Sequence, residues 1–447
     1  MNETRTATRR PWGEAGVLLI VAVAAFLIRI WYANTTIVED PLRGDALQYF
    51  KYAVNLVQHH VFSGAPTNVP MPPPDTFRDP GYPALMAATG AALGWGEPFY
   101  HAMLLIQAAL SAATVYFYGA LARRRLSFRA GLAVAVAVAL WPHLISMSGY
   151  LLSETLTGFF IGAACYTLEI ALRKQRPMPG LLAGASFAGA ALTNAVFAPF
   201  APLLALFALW RMPTQRRLWL CLLVASVLPV AGWMVRNATV PGSTTATSRV
   251  AMNFVQGSWP EYHEQYAAMT IDADAAETMR TIDAEFRLVA RSPAEGLRAV
   301  GGRLAAAPGH YTAWYLRKPV ELWGWNIGIG QGDVYVFATT HSLLAVNPVL
   351  RATSGVFFVA SPLIMLAALV GAILALLRGI RCEPMLFAVA SLAGYATLVY
   401  TLLQADARYA TPLRGVEVLL AASAVIAACQ ALKARQGKLN PREESAP

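Results

Sequence analysis

Residues 44–49 read Gly-Asp-Ala-Leu-Gln-Tyr and residues 78–83 read Arg-Asp-Pro-Gly-Tyr-Pro, and together they bound a polar loop in a strongly apolar chain. Between them lie two adjacent histidines and a dense run of prolines. The loop follows directly on the first hydrophobic segment of the chain. We therefore predict that this loop carries the chemistry of the protein and that membrane helices surround it.

The composition indicates a membrane protein. Of the 447 residues, 56% are hydrophobic and 13% are charged, and the charged share is about half that of a typical soluble domain. Apolar runs recur, and about 20 such residues cross a bilayer core of roughly 30 Å. We expect an all-α polytopic membrane protein of about ten transmembrane helices, with loops and surface helices at its outer face. The expected spans are 15–33, 99–121, 129–148, 154–172, two short helices within 180–210 that meet near Thr193-Asn194, 217–234, 352–378, 384–403 and 411–431.

The positions of the basic residues predict the orientation. The net charge is +10, but the lysines and arginines cluster in short segments between spans and do not form a nucleic-acid-binding patch. Because such residues stay on the cytoplasmic side during insertion, both termini are expected in the cytoplasm. The clusters are Arg9-Arg10, Arg123-Arg124-Arg125, Arg173-Lys174 with Arg176, Arg211 with Arg216-Arg217, Arg378 with Arg381, and Lys433 with Arg435 and Lys438.

This orientation predicts three regions. Residues 1–235 form an amino-terminal membrane region whose first outer loop is 34–98, and residues 236–347 form a polar insertion outside the membrane. Residues 348–447 form a second membrane region and a cytoplasmic tail. Within the first loop, apolar side chains at helical spacing predict a surface helix over 45–60.

No metal or cofactor is indicated by the sequence. Adjacent His59 and His60 point about 100° apart on a helix, so they do not chelate one ion together, and no zinc-type spacing occurs. A divalent ion stays possible, but the sequence does not indicate one. The four cysteines lie in predicted spans or beside a cytoplasmic arginine cluster, so no disulfide framework is expected.

Asp45 and Arg78 are the main candidates for catalysis. Asp45 is either a helix N-cap or a general base that deprotonates an acceptor hydroxyl. Arg78 either pairs with Asp75 or Asp79, or stabilises the anion that forms when a lipid phosphate leaves.

Three further charged residues fall at the outer ends of spans. Glu154 is favoured at a helix N-terminus by the macrodipole, or it contributes to acceptor binding. Arg408 forms a structural pair with Asp406, or it is a second contact for phosphate. Arg236, at the end of span 217–234, is a weaker candidate for the same anion.

These motifs, in this order, resemble a known family. After the first loop come Ser153-Glu154-Thr155, then Arg236-Asn237 with Pro241-Gly242, and then Arg408-Tyr409-Ala410-Thr411-Pro412 before the last span. The chain resembles the bacterial branch of the GT-C glycosyltransferases of family 39, which is related to dolichyl-phosphate-mannose protein mannosyltransferases and aminoarabinose transferases. The resemblance covers essentially the whole chain, and the first loop is its most specific part.

The resemblance implies an enzyme that takes a sugar from a polyprenyl phosphate and transfers it with inversion outside the bacterial inner membrane. It implies that Asp45 is the catalytic aspartate and Arg78 the basic residue of the Pro-Gly-Tyr-Pro run. The sequence departs from the family where Ala46 follows the aspartate in place of an acid, and where Asp79 replaces a common proline. Tyr49, Asp79, Tyr82 and Glu154 are expected to contact the substrate or the acceptor.

We therefore predict an inverting hexosyl or pentosyl transferase with a donor of the undecaprenyl-phosphate type. Its expected partners are this donor, the bilayer and a glycan, lipid or protein acceptor of the envelope, with the site on the periplasmic face. A transporter or flippase of lipid-linked intermediates is the alternative. It would need polar residues deep inside the spans, and spans 129–148 and 352–378 contain almost none. A non-catalytic scaffold of an envelope complex is a third possibility.

Overall fold

The computed structural model describes residues 11–240 and 246–439, and most of this part of the chain is helical. The amino-terminal cluster Arg9-Arg10, the motif Pro241-Gly242 and the end of the charged tail lie outside the described residues. In chain order the first ten helices are α1 Pro11–Thr35, α2 Gly44–His59, α3 Gly81–Leu93, α4 Glu97–Arg125, α5 Phe128–Leu140, α6 Pro142–Met147, α7 Glu154–Lys174, α8 Pro177–Thr193, α9 Phe200–Arg211 and α10 Arg216–Ala238. The remaining ten are α11 Ala246–Gly257, α12 Tyr262–Ala268, α13 Ala273–Arg291, α14 Pro293–Ala306, α15 Pro308–Trp323, α16 Leu343–Val346, α17 Pro348–Cys382, α18 Pro384–Leu402, α19 Ala407–Ala410 and α20 Arg414–Leu439.

The long apolar helices make the chain a polytopic membrane protein. In the described part of the chain, seven helical segments are long and apolar enough to cross a membrane. They are Gly13–Thr35, Glu97–Arg125, Glu154–Lys174, Pro213–Ala238, Pro348–Cys382, Pro384–Leu402 and Ala407–Gln436. The other three predicted spans correspond to the shorter helices α5, α8 and α9, with 13, 17 and 12 residues.

Local chemistry explains where several helices end. The prediction of one helix over 129–148 is wrong, because Trp141 is extended before Pro142 and divides the segment into α5 and α6. The predicted junction near Thr193-Asn194 is confirmed. Here α8 ends at Thr193, and the Asn194 side chain accepts a hydrogen bond from the backbone N–H of Val196.

Small residues bring the helices of the bundle together. A Cβ atom added to Gly184 of α8 would lie 2.4 Å from the carbonyl oxygen of Leu222 on α10. Likewise, a Cβ on Gly371 of α17 would lie 2.1 Å from the carbonyl oxygen of Leu420 on α20. Only glycine permits such close packing, as in other membrane bundles. On its other faces α17 exposes large apolar side chains, which fit contact with lipid.

The first loop and the polar insertion are joined at one end of the bundle. The predicted surface helix is present as α2, and it packs against α3. Strand β1, Ile37–Val38, pairs antiparallel with strand β2, Thr339–Thr340, at the far end of the insertion. The insertion therefore lies against the loop that contains Asp45. The division at residues 235 and 347 stays a prediction.

Candidate active site

A cavity of about 590 Å³ opens where the first loop, the insertion and one end of the bundle meet. Asp45 and Tyr49 of α2 and Arg78 of the first loop line it, together with Glu154 at the start of α7. Arg408 of α19 also lines it. Four segments that are distant in sequence thus place charged side chains around one space.

Asp45 lies between two arginines. Its Oδ1 accepts a hydrogen bond from Arg78 Nη2 at 2.5 Å, and its Oδ2 accepts one from Arg408 Nη2 at 2.8 Å. Arg43, not Asp45, is the residue that precedes the first turn of α2, so the interpretation of Asp45 as an N-cap is wrong. Arg78 is oriented by a second bond, from its Nε to Gln48 Oε1 at 2.7 Å. The carboxylate is 29% exposed and faces the cavity.

Arg408 links Asp45 to a second carboxylate. Its Nε donates a very short hydrogen bond to Glu154 Oε1. Asp406 does not pair with the Arg408 side chain; its Oδ1 accepts from the Arg408 backbone N–H at 2.8 Å, and its Oδ2 from the Gly328 N–H at 2.9 Å. Asp406 therefore caps α19 and positions the arginine, while the guanidinium of Arg408 bridges two acids.

The two arginines determine the charge state of Asp45. Burial alone would raise the pKa of its carboxyl group, because the charged form loses hydration. The positive charges of Arg408 and Arg78 outweigh this effect and hold the pKa of Asp45 well below its usual range. Asp45 is consequently ionised at neutral pH and paired on both oxygens.

The substrate-contact candidates divide into residues at the cavity and one behind it. Tyr49 lines the cavity, with its hydroxyl 3.3 Å from Ser153 Oγ and the Arg78 guanidinium 5.2 Å from its ring centroid. Asp79 also lines the cavity, but its Oδ2 accepts from Arg249 Nη2 at 2.6 Å. Tyr82 is completely buried behind Tyr49 and does not line the cavity.

Arg236 lies elsewhere. Its Nη1 donates to the Asp75 carbonyl oxygen at 2.6 Å and its Nη2 to the Phe62 carbonyl oxygen at 3.3 Å. The guanidinium also stacks near the rings of Phe62 and Trp233, in a separate and smaller pocket. The structure thus does not bring Arg236 together with Arg78 and Arg408.

Several residues in the cavity lining or in contact with it were not singled out from the sequence. The spacing could have indicated Gln48, because it lies three residues after Asp45 and therefore on the same helix face. Arg249 and Asn253 of α11 and Tyr262 of α12 had no such signal, since only the folding of the insertion brings them to the cavity. Gln404 joins them by accepting from the Tyr409 hydroxyl at 2.9 Å.

The cavity therefore has two kinds of wall. One wall is charged, around Asp45. The other presents amides and aromatic rings, and the rings of Tyr400 and Tyr409 stack at 5.2 Å between centroids. Among the described residues, no group of three or more His, Cys, Asp or Glu side chains could hold a metal ion.

Comparison with known proteins gives the fold. No protein-family model and no curated protein sequence matches the chain. Among solved structures, the oligosaccharyltransferase of Archaeoglobus fulgidus in complex with zinc and sulfate matches 95% of this chain, with a TM-score of 0.50 and 14% identity. The archaeal oligosaccharyltransferase AglB of Archaeoglobus fulgidus, in complex with an inhibitory peptide and a dolichol-phosphate, matches 98% of the chain, with a TM-score of 0.48 and 14% identity. ArnT from Cupriavidus metallidurans, bound to undecaprenyl phosphate, matches 90% of the chain and 78% of its own length, with a TM-score of 0.38 and 16% identity.

The chain spans about half the length of the oligosaccharyltransferases that it matches, 50% of one chain and 52% of the other. The match nevertheless extends over 95% of this chain. These neighbours are members of the GT-C superfamily. The likeness to the structure in complex with zinc and sulfate, at a TM-score of 0.50, therefore gives this chain the GT-C fold that its sequence motifs predict.

Proposed function

We propose that the protein is an inverting glycosyltransferase that moves a sugar from a polyprenyl phosphate to an acceptor hydroxyl group. The observation that carries this function is the position of Asp45, a cavity-facing carboxylate held between Arg78 and Arg408. The donor would be of the undecaprenyl-phosphate type and carry a hexose or pentose. The acceptor would be a glycolipid, a polysaccharide or a protein of the bacterial envelope.

The proposed reaction needs one base and one anion-binding group. Asp45 accepts the proton of the acceptor hydroxyl while the hydroxyl oxygen attacks the anomeric carbon of the sugar. The bond from this carbon to the phosphate oxygen breaks, and the lipid phosphate leaves with the electron pair. Arg78 and Arg408 stabilise the negative charge that develops on the phosphate. Attack from the opposite face inverts the anomeric carbon without a covalent intermediate.

Donor binding would also change the basicity of Asp45. In the structure both arginines hold this carboxylate, and they keep its pKa low and its affinity for a proton weak. A phosphate that enters the cavity competes with Asp45 for the same guanidinium groups. As Arg78 and Arg408 turn towards the phosphate, Asp45 loses their charges and becomes a stronger base at the moment it is needed.

The other cavity residues suit carbohydrate recognition. Aromatic faces such as Tyr409 and amides such as Asn253 and Gln404 would contact the C–H faces and hydroxyl groups of a sugar. Glu154 would orient Arg408, while Tyr49 and Asp79 would support Arg78 and the acceptor side of the cavity. Arg236 and Tyr82 have no place in this mechanism, since neither lines the cavity.

We propose that the cavity opens on the periplasmic side of the inner membrane. The first loop and the insertion meet at the same end of the bundle, where the cavity lies. The basic clusters Arg123–Arg125 and Arg173–Lys174 lie at the last turns of α4 and α7, while Glu154 at the start of α7 lines the cavity. This polarity is the one that the positive-inside rule assigns to an outward-facing site.

The test uses purified protein in nanodiscs with a panel of polyprenyl-phosphate sugars and envelope glycans. Mass spectrometry would follow the release of free polyprenyl phosphate. Wild type should release it from one donor, and Asp45→Asn should not, because an amide cannot accept the proton. Asp40→Asn is the matched control, since Asp40 is an exposed carboxylate in the same loop. Undiminished release by Asp45→Asn would place the base elsewhere.

A further inference from the structure

Four arginines line the cavity, and three of them are paired with carboxylates. Arg78 pairs with Asp45, and Arg408 pairs with Asp45 and Glu154. Arg249 pairs with Asp79. The fourth is Arg43, for which the described residues provide neither an ion pair nor a hydrogen-bond acceptor for the side chain.

Arg43 is held at the cavity by an aromatic surface. Its guanidinium carbon lies 4.7 Å from the ring centroid of Phe337, and the side chain is half-buried. When an arginine stacks on an aromatic ring, its N–H groups lie in the plane of the guanidinium group and stay free to bind an anion. The stacking therefore orients Arg43 without occupying its donors.

The platform under Arg43 is itself fixed. The ring of Phe337 packs edge-on against Tyr150 at 5.6 Å between centroids. The next residue, Ala338, accepts a hydrogen bond from the Glu39 N–H at 2.9 Å, beside the β1–β2 pair. Contacts from both the first loop and the insertion thus fix the position of the ring on which Arg43 stacks.

The charges of the cavity favour an anionic ligand. Its lining contains four arginines and three carboxylates, so one positive charge is in excess. That excess corresponds to the single negative charge of a phosphodiester. Arginine forms bidentate, charge-assisted hydrogen bonds with phosphate oxygens, and such bonds are stronger in a half-buried cavity than in water.

Resting on the glycosyltransferase function proposed above, we infer that Arg43 is a phosphate-binding residue that contacts the phosphate ester of the lipid carrier. It takes the role that the sequence predicted for Arg236. Arg43 has no carboxylate to release. It therefore binds the incoming phosphate first, and Arg78 and Arg408 then leave Asp45 and bind the same phosphate. The carrier is the favoured source of the phosphate, since Arg43 lies only two residues from the proposed base.

The test measures the binding of undecaprenyl phosphate, without sugar or acceptor, to the protein in nanodiscs. Arg43→Gln should weaken this affinity by roughly tenfold or more, because charge-assisted hydrogen bonds to the phosphate are lost. Arg43→Lys should lose less, since it keeps the charge but not the planar fork. Arg298→Gln, which changes an exposed arginine of α14, should bind as wild type does. The melting temperature of each variant checks that it is folded.

The outcomes separate this inference from the function on which it rests. If Arg43→Gln and wild type bind undecaprenyl phosphate equally, Arg43 is not a contact for the carrier, while the glycosyltransferase function still stands. If wild type does not bind undecaprenyl phosphate at all, both fall. A parallel titration with inorganic phosphate distinguishes the source. A loss of affinity in Arg43→Gln for inorganic phosphate alone would assign Arg43 to a soluble phosphorylated substrate and overturn the assignment to the carrier.

Discussion

Single side chains around Asp45 form a continuous series of opposite charges. Arg78, Asp45, Arg408 and Glu154 are linked by hydrogen bonds in that order. Removing one member leaves its neighbour charged and partly desolvated, which costs more than the bond itself contributes. Substitutions in this series are therefore expected to act on one another and not to add independently.

The pH dependence of the reaction tests the role of Arg78. In wild type the pKa of Asp45 is depressed, so this carboxylate stays ionised well below its usual range, and the activity should show no acid limb from Asp45 near pH 4–6. In Arg78→Gln one of the two stabilising charges is removed while burial still favours the neutral form. The pKa of Asp45 should rise, and the activity that remains should fall as the pH decreases through the new value.

The measurement is the pH profile of kcat/KM for both proteins. Arg351→Gln serves as the control, because Arg351 is exposed and lies outside the cavity. Identical acid limbs in wild type and Arg78→Gln would contradict the proposed coupling between Arg78 and Asp45.

Among the secondary-structure elements, α11, α15 and α18 meet at one point beside the cavity. The Lys318 ammonium group of α15 donates to the Gly257 carbonyl oxygen at 2.9 Å and to the Leu403 carbonyl oxygen at 2.5 Å. These two carbonyl groups lie at the ends of α11 and α18. The neighbouring residues Gln256 and Gln404 line the cavity, so this junction sets the distance between two of its walls.

Gly257→Ala should disrupt this junction. The added Cβ atom would lie 1.7 Å from the Leu403 carbonyl oxygen, so α11 must move away from the end of α18. Overpacking of this kind typically costs about 1–3 kcal/mol. We expect a lower melting temperature and a transfer rate reduced by at least about tenfold, because Gln256 moves with α11.

The same substitution at Gly302 is the control. Gly302 lies in α14, and a Cβ atom there would meet nothing within 4 Å. Gly302→Ala should therefore be neutral or stabilise by roughly 0.5–1 kcal/mol through lower backbone entropy of the unfolded chain. A Gly257→Ala protein as stable and active as Gly302→Ala would mean that the contact between α11 and α18 is not required.

At the scale of the whole molecule, the fold was largely predictable and the site only partly so. Apolar length predicted the long helices, because each must satisfy its own backbone in lipid. Sequence motifs selected Asp45 and Arg78, which the structure places in contact. The contribution of Arg249 could not be predicted, since 170 residues separate it from Asp79 and only tertiary packing brings them together. The sequence assigned Arg236 to the phosphate. It could not reveal that the Arg236 side chain already donates to backbone carbonyl groups.

The predicted orientation of the whole chain can be tested by cysteine labelling. Cys382 is exposed at the end of α17, beside the basic cluster expected in the cytoplasm, whereas Asp40 is exposed in the first loop. In a background without other cysteines, a membrane-impermeant maleimide should label Asp40→Cys in intact spheroplasts. It should label Cys382 only after the membrane is opened. Labelling of Cys382 in intact spheroplasts would reverse the proposed orientation.

The hydrogen bond between Asp45 and Arg408 can form only late in the synthesis of the described chain. The two residues are 363 positions apart in the chain. At a synthesis rate of about 5–20 residues per second, Asp45 leaves the ribosome roughly 20–70 s before Arg408 does. During that interval the nascent protein carries Asp45 with at most one of its two cations. The charge series is thus complete only after residue 408 has been synthesised, so under the proposed mechanism a growing chain cannot transfer sugar before that point.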